Sequence, residues 1–197
     1  MSAGGLTPAE SLTLLALPAA LTDGWRAQLA EPHRRYHDER HIAAMLSHIP
    51  AGQASRELIA AIWLHDVIYD PHAADNEERS AEQARRDLAG SGIDAEAVAA
   101  LILATKHHRA ATGEERLLVD LDLGVLGVPP DAYERYAADI RAEYAHVPEE
   151  AYRMGRAQVL RRFLDRPAIY ATAGFARLEE RARANLSGEI ADLEGAR

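Results

Sequence analysis

Ser55-Arg-Glu-Leu-Ile-Ala-Ala-Ile-Trp-Leu-His-Asp-Val-Ile-Tyr-Asp-Pro71 is the stretch on which the architecture turns. Ser55 is suited to cap a helix, because its hydroxyl can accept from a free N–H of the first turn. Leu58, Ile59, Ile62 and Trp63 then recur at helical spacing, with Glu57 in the first turn. Two ionisable side chains, His65 and Asp66, interrupt the apolar run. The chain must leave the helix by Tyr69-Asp70-Pro71, since proline disfavours a helical residue before it.

Working outward, the same period recurs on both sides. Upstream, Thr7-Pro8-Ala9-Glu10 offers a cap, a proline in the first turn and a glutamate to close a capping box. Leu12 and Leu15, and Leu14 and Leu17, follow at helical spacing. A second pattern begins near Asp38, carries Ile42, Met45, Leu46 and Ile49 on one face, and stops at Pro50-Ala51-Gly52. Downstream, Asp75 with Glu78 reads as a capping box, and that helix runs to Gly90-Ser91-Gly92. Asp94 starts another, with Val98, Leu101, Ile102 and Thr105 inward and a break at Gly113. Leu117, Leu118, Leu121 and Val125 mark a helix around Asp122 that closes at Gly127. Three more patterns follow: Tyr133 to Tyr144, Pro148 to Leu164, and Phe175 through Ala182, Leu186 and Ile190. No period-two strand and no βαβ alternation emerge, so the fold class expected is all-α.

Four side chains carry chemistry in the order H…HD…D: His41, His65, Asp66 and Asp122. Imidazole and carboxylate hold divalent transition metals, and a bound metal can turn water into a nucleophile near neutral pH. Neighbouring helical residues point about 100° apart. His65 and Asp66 can still share one ion if it sits at the helix terminus. Asp122 lies in an otherwise apolar helix, where a carboxylate is costly unless paired or metal-bound. Three helices would thus donate four ligands at the middle of a bundle. A lone histidine is more often a surface or hydrogen-bonded core residue, and His33, His48, His72 and His146 are read so.

The chain resembles the HD superfamily of metal-dependent phosphohydrolases, and more narrowly a small bacterial branch of it. The matching stretches are Glu31-Pro-His-Arg-Arg-Tyr-His-Asp-Glu-Arg-His-Ile42, Ile62-Trp-Leu-His-Asp-Val-Ile-Tyr-Asp-Pro71, Asp75-Asn-Glu-Glu-Arg-Ser-Ala81, Ala104-Thr-Lys-His-His108 and Asp120-Leu-Asp-Leu-Gly-Val-Leu-Gly127. The likeness continues through Ala182-Arg-Ala-Asn-Leu186. It implies a single-domain HD-type helical bundle over residues 1–197 with a metal site at its centre. The motif region would span about 31–127, with helices over about 130–192 packed on it. The resemblance makes His41, His65, Asp66 and Asp122 the metal ligands, with Asp120 the alternative for the last position. His37 and His41 are also spaced as in cyclic-nucleotide phosphodiesterases, where the first histidine protonates the leaving oxygen. That likeness makes His37 the candidate general acid, while Asp66 would join ligand and base roles. The cofactor implied is a divalent metal ion, drawn from Mn, Co, Ni, Fe, Zn or Mg.

Further candidates surround this set. Lys106, His107 and His108 close the Asp94 helix, and either histidine could meet a second metal or a phosphate; the competing reading is a basic helix end favoured by the macrodipole. Glu77 shares a face with Ala81, Ala84 and Leu88 and could point inward. Arg35, beside the motif, could bind phosphate oxygens; Arg34 and Lys106 could too. Arg183 and Asn185 match the branch pattern without an evident task. The expected function is hydrolysis of a small phosphorylated compound, a nucleotide among the candidates, through a metal-activated water. The alternatives are a non-catalytic metal- or ligand-binding scaffold and a di-metal oxygenase using His107 or His108.

Composition sets the remaining bounds. The net charge of −9 argues against stable binding to a phosphate backbone. The absence of cysteine excludes disulfides and thiolate zinc sites. MSAGGLTPAE lacks the basic start of a secretory signal, and the Leu12–Leu21 run, broken by Pro18, is too short to span a bilayer. The expected location is the cytoplasm, with no membrane partner and no assignable oligomer interface.

Overall fold

The computed structural model describes residues 5–195, and they are all-helical, with no strand among them. Ten α-helices are present: α1 (Pro8–Leu15), α2 (Ala19–Leu29), α3 (Glu39–Ser47), α4 (Arg56–Leu64), α5 (Asn76–Asp87), α6 (Ala95–Thr105), α7 (Gly113–Asp122), α8 (Pro130–Glu143), α9 (Glu149–Leu164) and α10 (Glu179–Leu193). Two short 3-10 helices, Leu123–Gly127 and Ala176–Leu178, complete the order. No helix among the described residues is long and apolar enough to cross a membrane. The chain divides into two compact units, Met1–Asp122 and Leu123–Arg197.

In the first unit α4 is the axis. Every residue from Leu58 to Leu64 is 0% exposed, so this length of the helix is apolar all round and must be enclosed on all sides. It packs against α1, α3, α5, α6 and α7. Ser55 caps it, accepting from the Leu58 N–H at 2.9 Å. Trp63, within it, donates its indole N–H to Ser11 Oγ of α1 at 2.9 Å, which satisfies a polar group that burial would otherwise strand. Helix α3 begins at the Asp38 cap and buries His41, Ile42, Met45 and Leu46. Helices α5 and α6 form a hairpin whose connection uses Gly90 and Gly92 at φ of 74° and 77°, a region that favours glycine.

Local chemistry departs from expectation in three places. The stretch Ala19–Leu29, where no helix is expected, forms α2 and buries Thr22, Trp25 and Leu29 at spacings of three and four. Asp75 starts α5 but makes no side-chain cap bond; Glu78 instead pairs with Lys106 of α6. Gly113 opens α7 rather than merely breaking α6, because Thr112 and Glu115 form a reciprocal cap there: Glu115 N–H donates to Thr112 Oγ1 at 3.2 Å and Thr112 N–H to Glu115 Oε2 at 3.1 Å. The capping box at Thr7 and Glu10 forms as its sequence suggests.

In the second unit α10 packs on α8, α9 and the 3-10 turn Leu123–Gly127. Gly127 allows the closest approach: a Cβ there would lie 2.6 Å from Leu178 Cβ. Arg183 and Asn185 act as loop clamps. Arg183 donates to the carbonyls of Leu164 and Arg166 at 2.9 and 2.7 Å and pairs with Glu179 at 2.7 Å. Asn185 donates to the carbonyls of Leu126 and Val128 at 2.8 and 3.0 Å.

Candidate metal centre

The site is assembled from helix ends and one helix face. His65 is the C-cap of α4, still in helical backbone (φ −60°, ψ −37°), and Asp66 follows immediately beyond it at the helix terminus. His41 points inward from the first turn of α3, and Asp122 is the last residue of α7.

His41, His65 and Asp66 converge, and Asp122 lies against the two histidines. His41 Nε2 lies 3.2 Å from His65 Nε2. His65 Nε2 is 3.0 Å from Asp66 Oδ2 and 3.9 Å from Asp122 Oδ1, and His41 Nε2 is 3.2 Å from Asp122 Oδ1. His41, His65 and Asp66 offer atoms that all lie within 4.8 Å of one another. The histidines are buried at 5% and 1% exposure. The side chains of Asp66 and Asp122 are 17% and 15% exposed, so the cluster retains an opening to solvent on its carboxylate side.

The donor set can be tested against a cation. Ligand atoms about 2.1 Å from a shared ion stand about 3.0 Å apart at right angles and about 3.4 Å apart in a tetrahedron. Three of the four separations above fall near that range. The tautomer of His65 is fixed by its surroundings, because Nδ1 lies 2.9 Å from the Ile62 carbonyl, which can only accept. Nδ1 therefore carries the proton, and neutral His65 turns a bare Nε2 lone pair to the cluster. His41 Nδ1 is 2.9 Å from the Tyr36 hydroxyl, which anchors the second ring. Two imidazole nitrogens and the Asp66 carboxylate stand close enough to hold a divalent cation, whereas Asp122 lies against the histidines outside that group.

Electrostatics reports the same demand. Burial disfavours the His65 imidazolium, but the Asp66 charge, its hydrogen bond and the Asp122 charge prevail and hold His65 up at about 9. Burial pushes the Asp66 carboxyl upward; the His65 charge and hydrogen bond, with the His37 charge, override it and leave Asp66 well below the usual carboxylate range. Burial likewise raises Asp122, yet hydrogen bonds from His108 and His41 pull it well down. The cluster holds a proton where a metal would sit.

The surrounding candidates separate. His108 joins the cluster, with Nε2 3.1 Å from Asp122 Oδ2, and it does so from a left-handed backbone (φ 48°) that ends α6. His107 is exposed and near Glu78. Lys106 donates to the Ala74 carbonyl at 2.9 Å and pairs with Glu78. Glu77 is half-buried in the first turn of α5, and Arg35 is exposed, its carbonyl accepting from Arg40. Asp120 is fully buried in α7. The His37 ring stacks on Tyr69 at 4.2 Å and lies 6.3 Å from the His41 ring.

Two residues near the site have roles not anticipated from sequence. Tyr36 anchors His41, and Arg34 is a buried clamp, its side chain 0% exposed. Neither carries a periodic signal, because both lie in the irregular segment between α2 and α3. Among known proteins no family model, no curated protein and no solved structure matches this chain.

Proposed function

We propose that this chain is a metal-dependent phosphohydrolase of the HD type, acting on a small phosphorylated compound in the cytoplasm, a nucleotide being one candidate. The observation that carries the reading is the cluster of His41, His65 and Asp66, with Asp122 beside the two histidines. Those four side chains would hold the divalent cation. When bound, it would lower the pKa of water and neutralise charge on a phosphoryl oxygen. Asp66 would orient the attacking water as a hydrogen-bond acceptor. As the water oxygen bonds to phosphorus, the bond to the leaving oxygen breaks, and His37 gives that oxygen a proton. The water's surplus proton passes to solvent through the exposed carboxylate edge. The low apparent basicity of Asp66 suits it to ligand and orienting roles rather than to storing that proton.

The test is elemental analysis of protein purified without chelator, beside a screen of phosphomonoesters, phosphodiesters and nucleotides with Mn²⁺, Co²⁺, Ni²⁺ or Mg²⁺. Turnover should vanish on chelation, return with metal, and fall by about three orders of magnitude or more in Asp66→Ala. Activity that survives either treatment rejects the assignment. The contact between His108 and the outer oxygen of Asp122 favours one second reading, a two-ion site of oxygenase type. Two irons per chain would carry that reading, and a single ion would dismiss it.

A further inference from the structure

Between α2 and α3 the chain runs from Ala30 to Asp38 without a regular helix, so nothing periodic holds His37 in place. One side chain inside this segment compensates. Arg34 folds inward, with its side chain 0% exposed, and makes four hydrogen bonds. Nε donates to Glu31 Oε2 at 3.1 Å. Nη1 donates both to the His37 carbonyl at 2.9 Å and to the Asp66 carbonyl at 2.7 Å. Nη2 donates to the Val67 carbonyl at 2.9 Å. The guanidinium also lies over the Tyr69 ring, 5.4 Å from its centre, and that ring is the one His37 stacks on.

We infer that Arg34 is a positioning residue of the site, whose single nitrogen Nη1 ties the backbone of His37 to the backbone of Asp66. A guanidinium does not deprotonate in proteins, so it is a permanent buried charge whose compensation is the Glu31 carboxylate and the gathered carbonyls. Opening the His37 segment away from the Asp66 turn would leave that charge short of acceptors, so the two move together. Lysine cannot replace it: an ammonium is a point donor on a flexible stem, whereas the planar fork addresses several carbonyls in fixed directions. Arg34 touches neither the metal-ligating atoms nor a substrate, and its effect reaches the chemistry through His37.

The test uses the full chain and depends on the hydrolytic reading only in its second arm. The first arm follows the imidazole Hε1 resonances by NMR in wild type, Arg34→Lys and Arg34→Met, with His37→Gln to assign the signal. Stacking on Tyr69 shifts the His37 resonance by the ring current. In both variants it should move toward the free-histidine position, while those of His65 and His108 stay and the helical circular dichroism is unchanged. A His37 resonance that does not move overturns the inference. So does a general shift of all three histidines, or loss of helix in both variants, since either would make Arg34 an ordinary folding residue. The second arm measures hydrolysis of bis(p-nitrophenyl) phosphate with Mn²⁺. Here kcat should fall by about 100-fold in Arg34→Lys with little change in KM. His37→Gln combined with Arg34→Lys should be no slower than His37→Gln alone. Additive losses overturn the inference. If wild type hydrolyses nothing, the proposed function fails and the NMR arm still decides Arg34.

Discussion

At the scale of single residues, the site is a concentration of acceptor atoms that must be neutralised, and pH decides how. His65, raised to about 9 against an ordinary imidazole near 6.5, favours the fold while it is protonated. Its contribution is full below about pH 6.5 and fades as pH rises through about 9. Asp66 and Asp122 are depressed, so their contribution is present above about pH 4 and is lost as pH falls through their lowered values. Chelator-treated protein should therefore melt highest between about pH 4 and 6.5, and lower at pH 9; a flat melting curve from pH 6 to 9 contradicts this account. A cation must displace the His65 proton, so apparent Co²⁺ affinity should rise about tenfold per pH unit up to about 9, as titration calorimetry would read. His65 and Asp66 are legible in sequence because they break an apolar run, and Asp122 because it sits among leucines. Arg34 and Tyr36 are not, because their partners are backbone atoms and a ring nitrogen brought near by an irregular segment that no period describes.

At the scale of elements, the helices with strong caps and broad apolar faces are legible, and those with narrow ones are not. Helix α2 has proline at its cap, no side-chain cap bond, and Asp23 and Gly24 between its buried residues, so its stripe gives little signal. Glu78 is misleading from sequence because its partner, Lys106, is 28 residues away, a separation no local motif encodes. The joint between α1 and α4 carries a hydrogen bond from Trp63 to Ser11, both fully buried, beside one from Arg56 Nη2 to the Leu15 carbonyl at 2.6 Å. Ser11→Ala leaves the indole N–H without that acceptor and should cost about 1–3 kcal/mol by denaturant unfolding; a change under about 0.5 kcal/mol would show that the indole finds another partner. The end of α6 poses a different problem. His108 occupies the left-handed region, which asparagine tolerates and β-branched residues resist. Both His108→Asn and His108→Val lose the imidazole contact with Asp122, and His108→Val should lose about 1–2 kcal/mol more than His108→Asn, measured by the same unfolding curves.

At the scale of the whole molecule, the two units carry their polar groups in different ways. The first concentrates them at the candidate centre. The second holds a tyrosine-rich network in which Tyr133 donates to Glu189 at 2.5 Å and Arg156 pairs with Glu189 at 2.8 Å. Burial pushes Tyr152 up to about 12, and burial with the Glu189 charge pushes Tyr133 higher still. Both tyrosines stay protonated when folded, so their contribution is intact below about pH 10, the ordinary phenol value, and declines above it. Hydrogen exchange should therefore quicken in α8, α9 and α10 between about pH 10 and 12. Addition of metal near neutral pH should instead slow exchange in α3, α4 and α7 and leave α8 to α10 as they were. Protection spread evenly over all ten helices would count against a centre formed by the first unit's own residues. The all-helical class follows from sequence because no segment alternates with period two, whereas the partition of polar networks depends on distant pairs such as Tyr133 with Glu189.

Seven enclosed residues in succession hold α4 from every side, and His65 stands on its tip. The imidazole is thus aimed by the fold before any ion arrives, and the loss of freedom that gathering donor atoms entails is met during folding rather than at capture. A cradle that cannot flex selects by radius and by donor type. Calcium, which seeks roughly six to eight oxygens, would find two imidazole nitrogens in their place, so the packing around Leu58–Leu64 would disfavour it.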